Sequence, residues 1–176
     1  MHADGRYATD LCLEHPGSRL KNRITHEMID SGALLPSMNG KMVFSQAVKY
    51  FPEVIREALD ANQYTIDDLD LLIPHQANAR ITAAVQKEFG LPDEKVVSNI
   101  HKYGNTTAAS LPIAFTEAWE EGRVKEGDLI CLAAFGSGFR MGQCADQVVG
   151  VRVGGRRDGG MTNLTPITPK PPERGL

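Results

Sequence analysis

Between residues 41 and 62, apolar side chains recur every third or fourth position: Val43, Phe44, Ala47, Val48, Phe51, Val54, Ile55, Ala58 and Leu59. This period gathers them on one face and predicts an amphipathic helix. Pro52 lies inside the run and lacks a backbone donor, which predicts a kink or break there. Residues 69–73 form a short unbroken apolar run, the pattern of a buried strand. Residues 77–89 return to the helical period through Ile81, Ala84, Val85 and Phe89, with Gly90 as the stop. Residues 96–98 begin another short strand. Residues 106–121 read as a helix with small residues at its front, ended by Gly122. Residues 128–135 are strand-like, and 138–149 supply a hairpin partner. Upstream, residues 7–13 have strand character and 17–40 read as loop with at most a short helix. Thr65, Ile66, Asp67 and Asp68 carry the capping pattern of a helix start. Strands alternating with helices argue an α/β layer structure.

Composition changes this picture only at the end. From Gly150 onward Gly, Arg, Pro and Thr dominate and large apolar residues nearly vanish. Such a segment buries too little surface to offset its chain entropy, so 150–176 is expected to be a disordered tail. The 176 residues suffice for one domain with a core, and a net charge of −3 implies attraction neither to nucleic acid nor to a membrane surface. Cys12, Cys131 and Cys144 are odd in number and widely spaced, without a CxxC pair. A disulfide framework or a metal site is not expected, and a reducing, cytoplasmic setting is. No apolar h-region opens the chain, and no apolar run is long enough to span a bilayer.

Three strand ends carry candidate chemistry. His75 follows Pro74 where a buried strand gives way to a helix, the place where ligands gather in α/β folds. A neutral imidazole there could donate to a developing oxyanion, or it could merely satisfy a turn. Asn105 follows Gly104 and precedes Thr106, Thr107, Ala108, Ala109 and Ser110. It reads as a turn or cap asparagine, or as a fixed amide donor sharing an oxyanion with His75. Ala108, Ala109 and Ser110 allow that helix a close approach to a neighbour or a ligand. Gly136, Ser137 and Gly138 make either a plain tight turn or a loop aiming N–H groups at an anion. Arg80 reads as a solvated charge, or as a holder of phosphate or an acidic partner.

The segments HADGRYATDL, MNGKMVFSQAV, LLIPHQANARI, YGNTTAASLPIAF and GDLICLAAFGSGFRMG, in this order, closely resemble the C-terminal half of β-ketoacyl-acyl-carrier-protein synthase III, in the thiolase-like superfamily. The resemblance runs from about residue 1 to about residue 148. It implies the C-terminal half of an αβαβα layered fold with a mixed five-stranded sheet. It also implies residues 1–38 as a remnant of the N-terminal domain and connecting loop, and 39–149 as the C-terminal synthase domain. The implied activity is decarboxylative condensation of an acyl-CoA with malonyl carried on acyl carrier protein. His75 and Asn105 take the catalytic places, the backbone N–H of Ser137 an oxyanion hole, and Phe135 the wall beside the His–Asn pair. Gly40, Phe44 and Asn78 take positions lining the pantetheine channel, and Arg80 the position that docks the carrier protein. CoA and phosphopantetheine thioesters are implied as substrates, with no separate cofactor and no metal.

The departures matter as much. The family's nucleophilic cysteine belongs to the first half of that fold, and none of Cys12, Cys131 or Cys144 has its setting at a helix N-terminus. Arg140 and Met141 stand where the family has Thr-Trp. The implied partners are acyl-CoA, acyl carrier protein, and either a second copy or a cysteine-bearing N-terminal-half subunit. The alternatives are a non-catalytic subunit that binds carrier protein or CoA, and a secondary-metabolite relative.

Overall fold

A computed structural model describes residues 2–17, 21 and 23–137, together with the backbone of 140–150. Of the expected tail 150–176, residues 151–176 lie outside the described residues, and Gly150, instead of opening the tail, is the last residue of a strand.

The chain opens with a two-residue strand β1 (His2–Ala3), a 3-10 turn over Gly5–Tyr7, and a second short strand β2 (Leu11–Cys12). After a loop and the five-residue helix α1 (His26–Asp30), strand β3 (Ser37–Met38) pairs antiparallel with β2. The expected strand over 7–13 thus contracts to two residues flanked by a turn.

Helix α2 (Gly40–Ala61) is capped by Asn39, whose side chain accepts from the Met42 N–H. It runs unbroken through Pro52, so of the predicted kink or break the break does not occur. A mid-helix proline costs about 3 kcal/mol, whereas each fully buried large apolar side chain contributes roughly 1.5–3 kcal/mol. Phe51, Ile55 and Leu59 are all buried on that face, so packing outweighs the missing hydrogen bond. The expected helix start at residues 65–68 is a turn instead. Asp68 accepts from both the N–H and the hydroxyl of Thr65 at 2.8 Å, and buried Leu69 then leads directly toward a strand.

That strand is β4 (Leu71–Pro74), followed by α3 (Ala79–Phe89), which ends on Gly90 in the left-handed conformation. A 3-10 turn over Asp93–Lys95, the short helix α4 (Ile100–Tyr103), a 3-10 turn over Thr107–Ala109 and helix α5 (Ser110–Glu120) complete the crossover to β5 (Leu129–Gly136). Strand β6 (Arg140–Gly150) returns antiparallel. The main sheet has the order β1-β6-β5-β4, with β4 and β5 parallel and the other pairs antiparallel.

Among the described residues the mixed sheet therefore has four strands rather than five. The strand expected at 96–98 reduces to one bridge, Leu72 to Val96, beside a Val97 N–H to Leu72 carbonyl bond of 2.9 Å. The 3-10 turn before it and α4 immediately after leave no length for a ladder.

Alternation along the strands divides the core in two. Leu72, Cys131, Ala133 and Phe135 face α2 and α3, packing with Phe51, Val54, Ile55, Ile81 and Val85. Leu71, Ile73 and Ile130 face the other way, onto Ala114 and Ala118 of α5 and onto Val97 and Val124. Two helical layers thus clamp the parallel pair; β4 ends at Pro74 opposite Ala133, and β5 runs on to Gly136.

Candidate active site

His75 is the first residue beyond β4. Its N–H donates to the Ala133 carbonyl of β5 at 2.8 Å, which extends the strand pairing by one bond and fixes the ring's root. Nδ1 lies 2.5 Å from the hydroxyl of Ser110, the first residue of α5. Burial pushes the His75 pKa below its ordinary value of 6.5, so the neutral ring is favoured.

The next residue, Gln76, is 1% exposed and fully engaged. Its N–H donates to Ser110 Oγ at 3.3 Å. Its side-chain amide donates to the carbonyls of Pro74 and Val97, at 2.7 and 3.2 Å, and accepts the Asn99 N–H at 3.0 Å. Asn99 in turn donates to Glu117 of α5 at 2.7 Å, and Glu117 accepts from Tyr103 at 2.6 Å and Lys102 at 3.2 Å. These bonds tie the end of β4 to α4 and α5, the two elements that flank Asn105.

Asn105 is exposed, and its Oδ1 accepts the Thr107 N–H at 2.9 Å. The turn reading of this residue is thus met by its side-chain carbonyl. The carbonyl closes the turn, and the NH₂ is the group of this side chain that can donate. The loop around it is conformationally demanding: Gly104 has φ 68 and ψ −158, and Thr107 has φ 53. The described hydrogen bonds do not join Asn105 to His75 directly; Ser110, five residues on, joins their elements.

Phe135 is buried at the end of β5, two residues past the Ala133 that holds His75, and its ring lies 6.4 Å from that of Phe51. Ser137 follows Gly136 and is exposed, with its hydroxyl donating to the Leu11 carbonyl at 2.7 Å. The side chain is thereby drawn aside to β2. Arg140, Met141 and Cys144 lie on β6, whose side chains are outside the description.

The remaining candidates form a second group. Asn78 caps α3, its Oδ1 accepting the Arg80 N–H at 2.9 Å. The Arg80 guanidinium stacks over Phe44 of α2 at 5.2 Å from the ring centroid, a cation–π contact that holds the cation at the surface. Gly40 lies one turn before Phe44 on the same helix. No equivalent grouping surrounds a described cysteine. Cys131 is buried in β5, and burial raises its thiol to about 12, which suppresses the thiolate. Cys12 lies in β2 with its thiol toward the Thr9 carbonyl.

Gln76 and Ser110 lie inside the segments LLIPHQANARI and YGNTTAASLPIAF, but their bonds to His75, Asn99 and one another are not legible in the sequence, and Asn99 and Glu117 lie outside those segments. The one available signal was a glutamine next to a histidine at the end of a wholly apolar strand, where a polar side chain must find internal partners.

Residues 59–147 match the family of 3-oxoacyl-[acyl-carrier-protein (ACP)] synthase III, C-terminal part. The β-ketoacyl-[acyl-carrier-protein] synthase III of Synechocystis sp. is 52% identical over 103 residues, covering 58% of this chain and 31% of the relative. That of Symbiobacterium thermophilum is 44% identical over 145 residues, covering 82% of this chain and 43% of the relative. The crystal structure of the Thermus thermophilus synthase III superposes with a TM-score of 0.69 at 37% identity, over 80% of this chain and 42% of that one. The Aquifex aeolicus 3-oxoacyl-[acyl-carrier-protein] synthase III gives 0.66 at 38% identity, over 78% and 39%. The chain thus spans less than half the length of the relatives it matches.

Proposed function

Because this chain belongs to the 3-oxoacyl-[acyl-carrier-protein] synthase III family, we propose that it supplies the malonyl-decarboxylating half of a β-ketoacyl-acyl-carrier-protein synthase III-type condensing enzyme, an acyltransferase of fatty-acid or related biosynthesis. The observation that carries this reading is His75. It is a neutral, half-buried imidazole anchored at a strand end, in an element joined by Ser110 to the one bearing Asn105. In the decarboxylation the bond to the malonyl carboxylate breaks, carbon dioxide leaves, and the electron pair moves toward the thioester oxygen. The His75 N–H and the Asn105 NH₂ hydrogen-bond that oxygen as its charge grows. The resulting carbanion attacks the acyl thioester carbonyl, the new C–C bond forms, the acyl C–S bond breaks, and the thiolate leaves with its electron pair. Donors of this kind accelerate only if they are fixed and uncharged before the charge appears.

In the same reading the Ser137 N–H serves the oxyanion of the acyl thioester, and Phe135 walls the site. Gly40, Phe44 and Asn78 line the pantetheine path, while Arg80 faces the acidic carrier protein. CoA and phosphopantetheine thioesters enter as substrates. The nucleophilic cysteine comes from residues outside this chain, on a cysteine-bearing N-terminal half, and the assembled enzyme is a dimer.

The test is carbon dioxide release from malonyl thioester, with and without an added cysteine-bearing half. His75→Ala and Asn105→Ala are each expected to slow release by roughly 10²–10³-fold, the usual loss for an oxyanion donor. Release unchanged by His75→Ala would overturn the reading. Carrier-protein binding sensitive to Arg80→Glu, without any release, would favour a non-catalytic binding subunit, consistent with the buried thiol of Cys131.

A further inference from the structure

We propose that Ser110 is a positioning residue for His75: its hydroxyl donates to Nδ1 and so holds the imidazole in the tautomer that keeps its proton on Nε2. Ser110 Oγ has two described partners, the Gln76 N–H at 3.3 Å and His75 Nδ1 at 2.5 Å. The backbone N–H can only donate, so one lone pair of the hydroxyl is already used. The hydroxyl proton then needs an acceptor, and among its described partners Nδ1 is the group that can provide a lone pair. With Nδ1 accepting, a neutral imidazole must carry its hydrogen on Nε2. The ring is half-buried and its neutral form is favoured, so it has one proton to place.

Two observations separate this role from a Ser–His nucleophile pair. Ser110 is 2% exposed, so no thioester carbonyl can reach its oxygen. The hydroxyl also sits at the junction of two elements, with the Gln76 N–H fixing it from the end of β4 and its own backbone belonging to α5. A hydroxyl held from both sides orients the ring as well as choosing its tautomer. The same side chain couples the His75 strand end to the helix that follows the Asn105 loop, so one residue registers both donors of the proposed site.

The inference rests on the reading of His75 as a donor, but its test needs no turnover. The full chain is labelled with ¹⁵N in its histidines, and long-range proton–nitrogen correlations are recorded about one and a half pH units above the ordinary imidazole value. The chain has five histidines, and His75→Gln identifies the His75 signals by their loss. The expected result is an Nε2–H tautomer in the unsubstituted chain. Ser110→Ala should move both nitrogen shifts toward a tautomer average, and Ser110→Thr, which keeps the hydroxyl, should restore the original pattern. An Nδ1–H tautomer in the unsubstituted chain would overturn the proposal. So would Ser110→Ala spectra that match the original. If Ser110→Ala does not fold, Ser110→Cys takes its place: it keeps the size but donates weakly, so unchanged shifts overturn the proposal and a partial drift supports it. A failed decarboxylation assay with an intact Nε2–H pattern would remove the proposed function and leave the role of Ser110 standing.

Discussion

Gly104 has φ 68 and ψ −158, a region that side chains other than hydrogen scarcely enter. A Cβ added there would meet nothing within 4 Å, so the cost of Gly104→Ala is backbone strain alone. We expect a loss of about 1–3 kcal/mol, read as a lower urea midpoint at constant slope. At Gln76 the cost has a different origin. Gln76→Leu keeps the bulk but leaves the Asn99 N–H and the Val97 and Pro74 carbonyls short of a partner, at roughly 1–3 kcal/mol for each group left buried and unsatisfied. His75 brings in pH. Its folded pKa lies below the ordinary 6.5, so on acidification the unfolded chain takes up the proton first. Its contribution is complete above about 6.5 and falls away as pH drops below that value. The urea midpoint should decline between pH 7.5 and 5.5, and His75→Gln should flatten the decline. At this scale the sequence pointed to His75 and Asn105 but could not say how they are held. Asn105 is held locally, by the Thr107 N–H, but His75 is held through Ser110, which also receives the Gln76 N–H, in contacts 35 and 34 positions apart in the chain.

Elements were most legible where one signal was strong and local. Helix α3 shows this: Asn78 caps its start, Gly90 ends it at φ 63, and the apolar period between them matches the buried face. Asn78→Ala should cost about 1 kcal/mol of unfolding free energy, the ordinary value of an N-cap. Expectations failed where packing overrode a local rule. Pro52 should break a helix, yet the buried face of α2 holds it; residues 65–68 could cap a helix, but the chain is already committed to β4. The joint between α4 and α5 had no sequence signature. Hydrogen bonds from Tyr103, then from Asn99, and the Lys102 ammonium lower the Glu117 carboxyl from 4.5 to about 2. A depressed carboxylate contributes above its unfolded value and loses that contribution as pH falls through the folded one. Glu117→Gln should therefore lower the denaturation midpoint at pH 7, and the gap to the unsubstituted chain should narrow toward pH 3.

Considered whole, the molecule leaves several large apolar side chains in water. Leu35 is 71% exposed, Met38 63%, Ile29 57%, and Trp119 38%, the last beside Phe115 and Thr116 on a concave face of α5. Relatives of which this chain matches less than half have further chain with which to cover such surfaces. The isolated chain should self-associate as its concentration rises, measured by light scattering, with Trp119 emission shifting to the blue in step. A monomer with unchanged emission across that range would show that these residues tolerate solvent. The α/β class was legible from alternating patterns, because periodicity is local. The count of strands was not, because the bridge at Val96 depends on how closely α4 follows it.

The parallel pairing of β4 with β5 also dictates when the site can exist. Asp70 and Leu129 meet across 59 positions of chain, and Ser137 reaches back 126 positions to Leu11. Such contacts are reached late, since the entropy of closing a long loop is lost before any pairing repays it. During synthesis His75 therefore leaves the ribosome well before the strand that anchors its backbone. Until residue 133 has followed, the imidazole has a sequence but no address, and a nascent chain stopped short of β5 should show neither its lowered titration nor its protection from exchange.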